Sequence, residues 1–398
     1  MKKLWQDNKA VIKFTLLIFL LWQVFLARII FLGEQYIPSS YQYIYTEQRV
    51  VNPQTFWSRA NFDGTHYLDI ARKGYGIYQQ AFFPLYPSLI RWSTPLFRGR
   101  DLMVGLGISM ISLFWGLVLL IKLIKLDYSE EIARWTVVFF LIFPTAFFLS
   151  MVYTESLFLF LVLASFYFAR TRKWWWAGVF GALASATRLA GIFLFPALLV
   201  EWWQQGKIKN EKLKMKNCNL KFKITQLLNY SITQLLFLFF IPLGLLWYMR
   251  YLAAQYGDPF MFLHVQPFFG AERLDKIILL YQVFWRYAKM LWTVQKASLT
   301  YFVVVLEFLA GTGFLALLIL GYRKKIRLSY LVFAGFSYLA PTLTGTFSSM
   351  PRYVLTLFPC FIMIALIKNK VIKSALLAVS FLLLIICTIL FTRGYWIA

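Results

Sequence analysis

Ser374-Ala-Leu-Leu-Ala-Val-Ser-Phe-Leu-Leu-Leu-Ile-Ile-Cys-Thr-Ile-Leu-Phe-Thr392 runs for 19 residues without a charge, close to the roughly 20 that a helix needs to cross a bilayer core. In lipid every backbone N–H and C=O must pair within its own segment, so such a run reads as a membrane-spanning helix. Working outward from it, similar runs occupy residues 11–32, 102–123, 131–149, 153–169, 230–252, 299–320, 328–347 and 351–367. Only 14% of the 398 residues are charged, against 60% apolar and 20% aromatic. A soluble domain carries roughly a quarter charged residues, so there is too little polar surface here to coat a soluble globule. The fold class that follows is an all-α polytopic membrane protein, one integral domain over residues 1–398.

The formal charge of +25 would suit nucleic acid, but its distribution argues for a membrane. Basic residues gather between the apolar runs, at Lys2 to Lys13, Lys122 to Arg134, Arg170 to Lys173, Lys207 to Lys223, Arg323 to Arg327 and Lys368 to Lys373. About 24 of the 41 basic residues and only 5 of the 16 acidic ones fall there, which is the positive-inside pattern. No stripe of interleaved arginine and aromatics on a soluble module supports a nucleic-acid partner. Cys218, Cys360 and Cys387 suggest neither a disulfide framework nor a metal site. The first run is long and lacks a convincing cleavage site, so it reads as a retained signal anchor.

With the basic segments placed inside, span one leads to a long outside segment, 33–101. Spans three and four form a tight hairpin around Met151 to Glu155. The stretch Trp174 to Trp203 has basic residues at both ends; dividing it near Thr187-Arg188 gives two short helices that return inward. The total is then about eleven spans. Residues 204–223 read as a solvated basic cytoplasmic loop, and the Asn229-Tyr-Ser triplet falls on the wrong face for glycosylation. A second outside segment, 253–298, holds Gln282, Arg286 and Lys289 at helical spacing against Ile278, Val283, Phe284 and Leu291, a basic amphipathic helix on the membrane surface. Two prolines interrupt Gln80-Ala-Phe-Phe-Pro-Leu-Tyr-Pro-Ser-Leu-Ile-Arg-Trp92, which suits a re-entrant or interfacial segment better than a span.

The chemistry concentrates in Phe56-Trp-Ser-Arg-Ala-Asn-Phe-Asp-Gly-Thr-His-Tyr-Leu-Asp-Ile-Ala-Arg-Lys-Gly-Tyr75. A helix over 64–73 fits, with Asp63 as its N-cap and Gly74 at its end. Asp63 and His66 then lie together near the outer surface, where a carboxylate can take a proton from a hydroxyl nucleophile. The plainer reading makes Asp63 a cap paired with Arg59. Asp69, with Arg72 and Lys73 at i+3 and i+4, is expected in a structural ion pair. Glu155 and Arg188 fall at the outer turns of adjacent hairpins, where they would either pair or leave Arg188 for a phosphate. Arg352, in Ser348-Ser-Met-Pro-Arg-Tyr353, stands beside hydroxyls at the outer start of span ten, suited to a lipid phosphate or to an ordinary interfacial role. His264 is a further candidate for substrate contact, with a satisfied interface histidine as the alternative. Glu307 lies inside span eight and should face protein. No metal-ligand spacing, Gly-rich phosphate loop or Ser/His/Asp arrangement stands out.

Phe62-Asp-Gly-Thr-His-Tyr-Leu68, Gly74-Tyr75 and Ala81-Phe-Phe-Pro-Leu-Tyr-Pro87 together resemble the first outside loop of the PIG-V family, which includes the second mannosyltransferase of GPI-anchor assembly and prokaryotic relatives. Phe143-Pro-Thr-Ala-Phe-Phe148, Tyr153-Thr-Glu-Ser-Leu-Phe158, Ala186-Thr-Arg-Leu-Ala-Gly191, Tyr256-Gly-Asp-Pro259 and Met350-Pro-Arg-Tyr353 follow in the same order. The resemblance implies a GT-C glycosyltransferase fold and a mannosyl donor on polyprenyl or dolichyl phosphate. It also implies inversion at the anomeric carbon, with Asp63 matching the first-loop aspartate that acts as base. Phe62 stands where the family usually has Trp. On this view Asp63 is catalytic, while His66, Glu155, Arg188, His264 and Arg352 contact substrate. The partners are membrane lipids, the lipid-linked donor and a glycolipid or glycan acceptor; no cofactor beyond the donor is required, and metal dependence is open. The rival readings are a flippase for lipid-linked saccharides, which often shows internal repeats that are not evident here, and an inactive scaffold.

Overall fold

The computed structural model describes residues 2–40, 54–214, 233–269 and 278–397. The described residues fold entirely as helices and their connections. The principal elements are α1 (Lys2–Tyr36), α2 (Asp63–Lys73), α3 (Leu85–Ser93), α4 (Asp101–Ile124), α5 (Glu130–Leu141), α6 (Glu155–Arg170), α7 (Trp174–Ser185) and α8 (Leu194–Lys214). They continue as α9 (Ile241–Tyr256), α10 (Leu280–Thr293), α11 (Leu299–Arg323), α12 (Leu328–Thr342), α13 (Met350–Tyr353), α14 (Phe358–Ala365) and α15 (Lys370–Thr392). Cys218, Asn229, residues 215–223 of the basic loop and residues 41–53 of the first outside segment lie outside the described residues.

Among the described residues five helices are long and apolar enough to cross a membrane: Asn8–Tyr36, Asp101–Ile124, Thr233–Tyr256, Leu299–Arg323 and Lys370–Thr392. The protein is therefore an integral membrane protein. The other expected spans are shorter helices with breaks at identifiable residues. Span three stops as α5 before Pro144 and resumes as a 3₁₀ turn at Ala146–Ser150. Span ten is divided into α13, a 3₁₀ turn and α14, with Pro351 and Pro359 each in the first turn of a helix. Proline lacks the N–H that would continue the preceding turn, and this localises both breaks. The chain also parts where expected near Thr187-Arg188: α7 ends at Ser185, Arg188 is extended, and α8 starts at Leu194. Helix α8 then runs on through residues 204–214, where a loop was expected. Gln, Lys and Glu are good helix formers, so hydrophilicity there does not end the helix.

Packing is densest where α4 lies against α6, α6 against α7, and α7 against α9. The last contact depends on missing side chains. A methyl group at Gly244 would meet the Ala182 carbonyl oxygen at 2.0 Å, and one at Gly178 would meet Phe237 O at 2.2 Å. Small residues that bring backbones together are the usual means of helix association in lipid, where burial of apolar surface gives no net drive.

Ionised groups form two poles. At one, Arg170 donates both terminal nitrogens to Asp127 (2.6 and 2.7 Å), and Arg327 forks onto the fully buried Glu201 through two 2.6 Å bonds. At the other lie Asp63, Glu155, Arg188 and Arg352. Glu155 and Arg170 begin and end α6, so the poles are about 22 Å apart at 1.5 Å per residue. Between them Phe140 and Phe143, at and just past the end of α5, make edge-to-face contacts with Phe314 of α11 and Phe361 of α14, with centroids 5.1–5.5 Å apart.

Candidate active site

The segment before α2 is fixed by its docking onto the turn 151–155. Val152 N donates to Arg59 O (3.0 Å), and the Tyr153 hydroxyl donates to Asn61 O (2.8 Å). The Asn61 amide in turn donates to the carbonyls of Phe391 and Thr392 at the end of α15. Phe62 takes a left-handed backbone (φ 58°) with its ring against Phe391 and Trp396. This corrects the expected cap. The cap position belongs to Phe62, and Asp63 is the first helical residue. Gly64 N and Thr65 N are satisfied by the carbonyls of Asn61 and Phe62, so the Asp63 carboxylate is free to turn away from the helix end. Gly74 does terminate the helix, at φ 90° with its N–H on Ile70 O.

Asp63 meets Arg352 rather than Arg59: Arg352 Nη1 donates to Asp63 Oδ2 at 2.6 Å. Arg352 Nε lies 3.6 Å from Glu155 Oε1, and Arg188 Nη1 donates to that same oxygen at 3.1 Å. The result is an alternating row, Asp63, Arg352, Glu155, Arg188, assembled from residues up to 289 positions apart. Both guanidiniums also lie 5.5 Å from the centroid of the Tyr353 ring, within range of a cation–π attraction. Glu155 is only 1% exposed and its second oxygen has no hydrogen-bond partner. A buried charge of that kind is tolerable only between opposite charges, and here it holds two cations together.

A cavity of about 1330 Å³ opens beside this row. Asp63, Arg188 and Arg352 line it; Glu155 lies behind the wall, out of reach of a ligand. His66 also lines it, with its ring stacked on Phe82 and Nδ1 3.2 Å from the Gln79 amide nitrogen. His264 lies apart. It is 65% exposed, bonded to Asp258 at 2.7 Å, and absent from the cavity wall, although its neighbours Leu263 and Gln266 line it. That hydrogen bond holds the Asp258 carboxyl below the usual carboxylate range.

The far wall comes from residues whose role was not read from sequence. Arg286, Tyr287 and Met290 of α10 line it, with Glu307 of α11; Trp396 lines the cavity on the near side, its ring against Phe62 and 5.9 Å from the Arg352 guanidinium. The amphipathic helix was expected, and its outward Trp285 and Trp292 are strongly exposed; that its inner face closes a cavity was not. Glu307 accepts from the Tyr287 hydroxyl (2.6 Å) and from Ser349 N (3.1 Å), so it ties the wall to the loop that presents Arg352. A lone acid in an apolar span was the available signal. For Trp396 there was none. Among the described residues no group of three or more His, Cys, Asp or Glu side chains could hold a metal ion.

A cavity in which one carboxylate and two arginines converge can orient a hydroxyl and hold a phosphate side by side, the arrangement expected of transfer from a phosphate-linked sugar. No curated protein matches the chain. The sequence model of the family described as mannosyltransferase (PIG-V) matches residues 9–259, taking in the Asp63 loop, the Glu155 turn and Arg188 and stopping short of the far wall. With well over half of its length matched, the chain belongs to the PIG-V mannosyltransferase family.

Proposed function

We propose that this membrane mannosyltransferase transfers mannose from a polyprenyl- or dolichyl-phosphate donor to a hydroxyl of a glycolipid or glycan, with inversion and with Asp63 as general base. The observation that carries the proposal is the single wall shared by Asp63, Arg188 and Arg352. In the reaction the acceptor oxygen bonds to the anomeric carbon as its proton passes to Asp63. The bond from that carbon to the phosphate oxygen breaks on the opposite face, and the electron pair leaves with the lipid phosphate. The transition state is oxocarbenium-like, by analogy with glycoside cleavage. Arg188 and Arg352 stabilise the charge that develops on the leaving phosphate, a group that needs no proton from a general acid.

The ion pair between Asp63 and Arg352 bears on the timing: Arg352 occupies Asp63 Oδ2 at 2.6 Å. A donor phosphate that draws Arg352 toward itself would free that oxygen for the acceptor hydroxyl only once the donor is in place. Glu155 acts as a positioning residue in this reading, holding the two arginines side by side against their repulsion. His66 sits one turn from Asp63 on the same wall and contacts the sugar being transferred or its acceptor. The proposal extends to a GT-C fold of about eleven spans with a long first outside loop and its active site on the outer face. Two features support it over a flippase: the two ionised poles are separated by packed aromatic rings, and among the described residues Lys125, Arg134, Arg170 and Arg327 gather at the pole without the cavity.

The test is transfer of radiolabelled mannose from polyprenyl-phosphate-mannose in membranes holding equal amounts of the native chain or Asp63→Asn. A general base contributes about 10²–10⁴-fold, so the variant should lose at least that order of activity. Equal transfer by both proteins would remove Asp63 as the base.

A further inference from the structure

The sequence pattern placed Asp69 in an ion pair with its helical neighbours, but the structure does not. The Arg72 guanidinium is turned away onto Asp101, where it bonds both carboxylate oxygens, and Lys73 makes no ion pair with Asp69. Among the described residues no hydrogen bond or ion pair reaches the Asp69 carboxylate, which instead lines the cavity. Asp63, His66, Asp69 and Lys73 therefore all stand on the cavity face of α2, at spacings of three and four that keep them on one side of a helix.

We infer that the outer half of this face, centred on Asp69, is a subsite for the acceptor glycan. The inference rests on reading the cavity as a glycosyl-transfer site. Asp69 lies six residues beyond Asp63, about 9 Å along the helix at 1.5 Å per residue. That is the length of one to two sugar rings. A donor phosphate held by Arg188 and Arg352 would be repelled by a second carboxylate, so it belongs at the Asp63 end. A neutral polyol finds in Asp69 a strong acceptor for its hydroxyls, since a carboxylate is acceptor-only and its hydrogen bonds are charge-assisted. Volume allows both ligands: about 1330 Å³ exceeds the roughly 300–1,000 Å³ that holds one drug-sized ligand. The subsite is thus for a hydroxyl-bearing acceptor at least two sugars long. Its terminal sugar presents the nucleophile to Asp63, and the sugar behind it is held by Asp69.

The test measures binding, so it does not need catalysis. The full chain, in lipid nanodiscs free of sugar-headed detergent, is titrated with methyl mannoside and methyl mannobioside by saturation-transfer NMR, native against Asp69→Ala and Asp69→Asn. The loss of a hydrogen bond to a charged group predicts about tenfold weaker disaccharide binding in Asp69→Ala, with binding of the monosaccharide and of polyprenyl-phosphate-mannose unchanged. Because no described residue bonds to the Asp69 carboxylate, unfolding midpoints should match those of the native chain. This pattern upholds the subsite even if no donor supports transfer, a result that would count against the proposed reaction alone. Equal disaccharide binding by native protein and both variants, no sugar binding to the native chain, or weakened binding of polyprenyl-phosphate-mannose would each overturn it.

Discussion

Replacing Glu155 by glutamine keeps the shape of the side chain and removes the one charge that holds two arginines together. Its oxygen lies 3.1 Å from Arg188 Nη1 and 3.6 Å from Arg352 Nε. At an effective dielectric constant near 20, each contact represents about 4–5 kcal/mol of Coulomb attraction. Much of that is offset by the cost of taking the charges out of water, so the net effect follows the rule for breaking a buried pair, about 3–5 kcal/mol. Arg188→Gln should cost less, because the buried Glu155 carboxylate keeps Arg352 3.6 Å away. The two changes together leave Asp63 and Arg352 as a neutral pair, and the double variant should be more stable than Glu155→Gln alone. The coupling expected between residues in one such network is about 2–3 kcal/mol. Thermal unfolding of the four proteins in one detergent gives the ranking directly. If the double variant unfolds at or below the temperature expected from adding the two single effects, Glu155 and Arg188 are not coupled, and the account of Glu155 as a positioning residue fails.

Other expectations test the fold and the boundaries of the site. Gly244→Ala places a methyl group 2.0 Å from Ala182 O and should destabilise by at least the roughly 1–3 kcal/mol of overpacking. Gly335→Ala, also within a helix but with open space around it, should be neutral or stabilising by about 0.5–1 kcal/mol; monodispersity after heating distinguishes them. Arg327→Gln breaks the fork onto buried Glu201 and should cost about 3–5 kcal/mol. It should leave the donor KM unchanged, because that pole is remote from the cavity. His264→Ala should leave transfer unchanged. Since the bond to His264 lowers the Asp258 pKa, its small contribution to stability is present above the ordinary carboxylate pKa and is lost as pH falls through the depressed value. The variant's acid stability profile should lack that step.

Spans were legible because bilayer thickness imposes a length on each apolar run, and helices α4, α11 and α15 match the runs within a few residues. Spans three and ten were not, since a proline allows either a kink or a stop and only packing decides between them. Asp63 was found because its loop is a dense local pattern. Its partner Arg352 comes from 289 residues away, a separation at which no periodicity operates. Asp69 shows the limit most plainly. The i+3 and i+4 rule is worth only about 0.2–0.5 kcal/mol, and for Arg72 it lost to a two-pronged bond with Asp101, an acid at the start of the next long helix. A weak local rule is easily overridden by a partner that tertiary structure delivers, and the override leaves the Asp69 carboxylate lining a cavity with no bond to any described residue.

The glycine after Asp63 offers the closest link between local sequence and activity. Gly64 has an ordinary negative φ, so its backbone does not require glycine. Its space does: a methyl group there would lie 3.3 Å from Val152 O, 3.4 Å from the Ala60 Cβ and 3.5 Å from a Tyr153 ring carbon. Val152 and Tyr153 are buried and held by their bonds to Arg59 and Asn61, so the part that yields is the start of α2. The strain of a few tenths of an ångström is small, and alanine recovers about 0.5–1 kcal/mol of helix propensity relative to glycine. Stability of Gly64→Ala should therefore stay within about 1 kcal/mol of native. Activity should not, because the shift is borne by the adjacent Asp63, and displacements approaching 1 Å cost on the order of 10²-fold in rate. A drop of about tenfold in kcat with an unchanged unfolding midpoint is the expected signature. A parallel loss of both would mean that the turn collapses, and full activity would mean that transfer tolerates movement of Asp63, which a positioned general base would not.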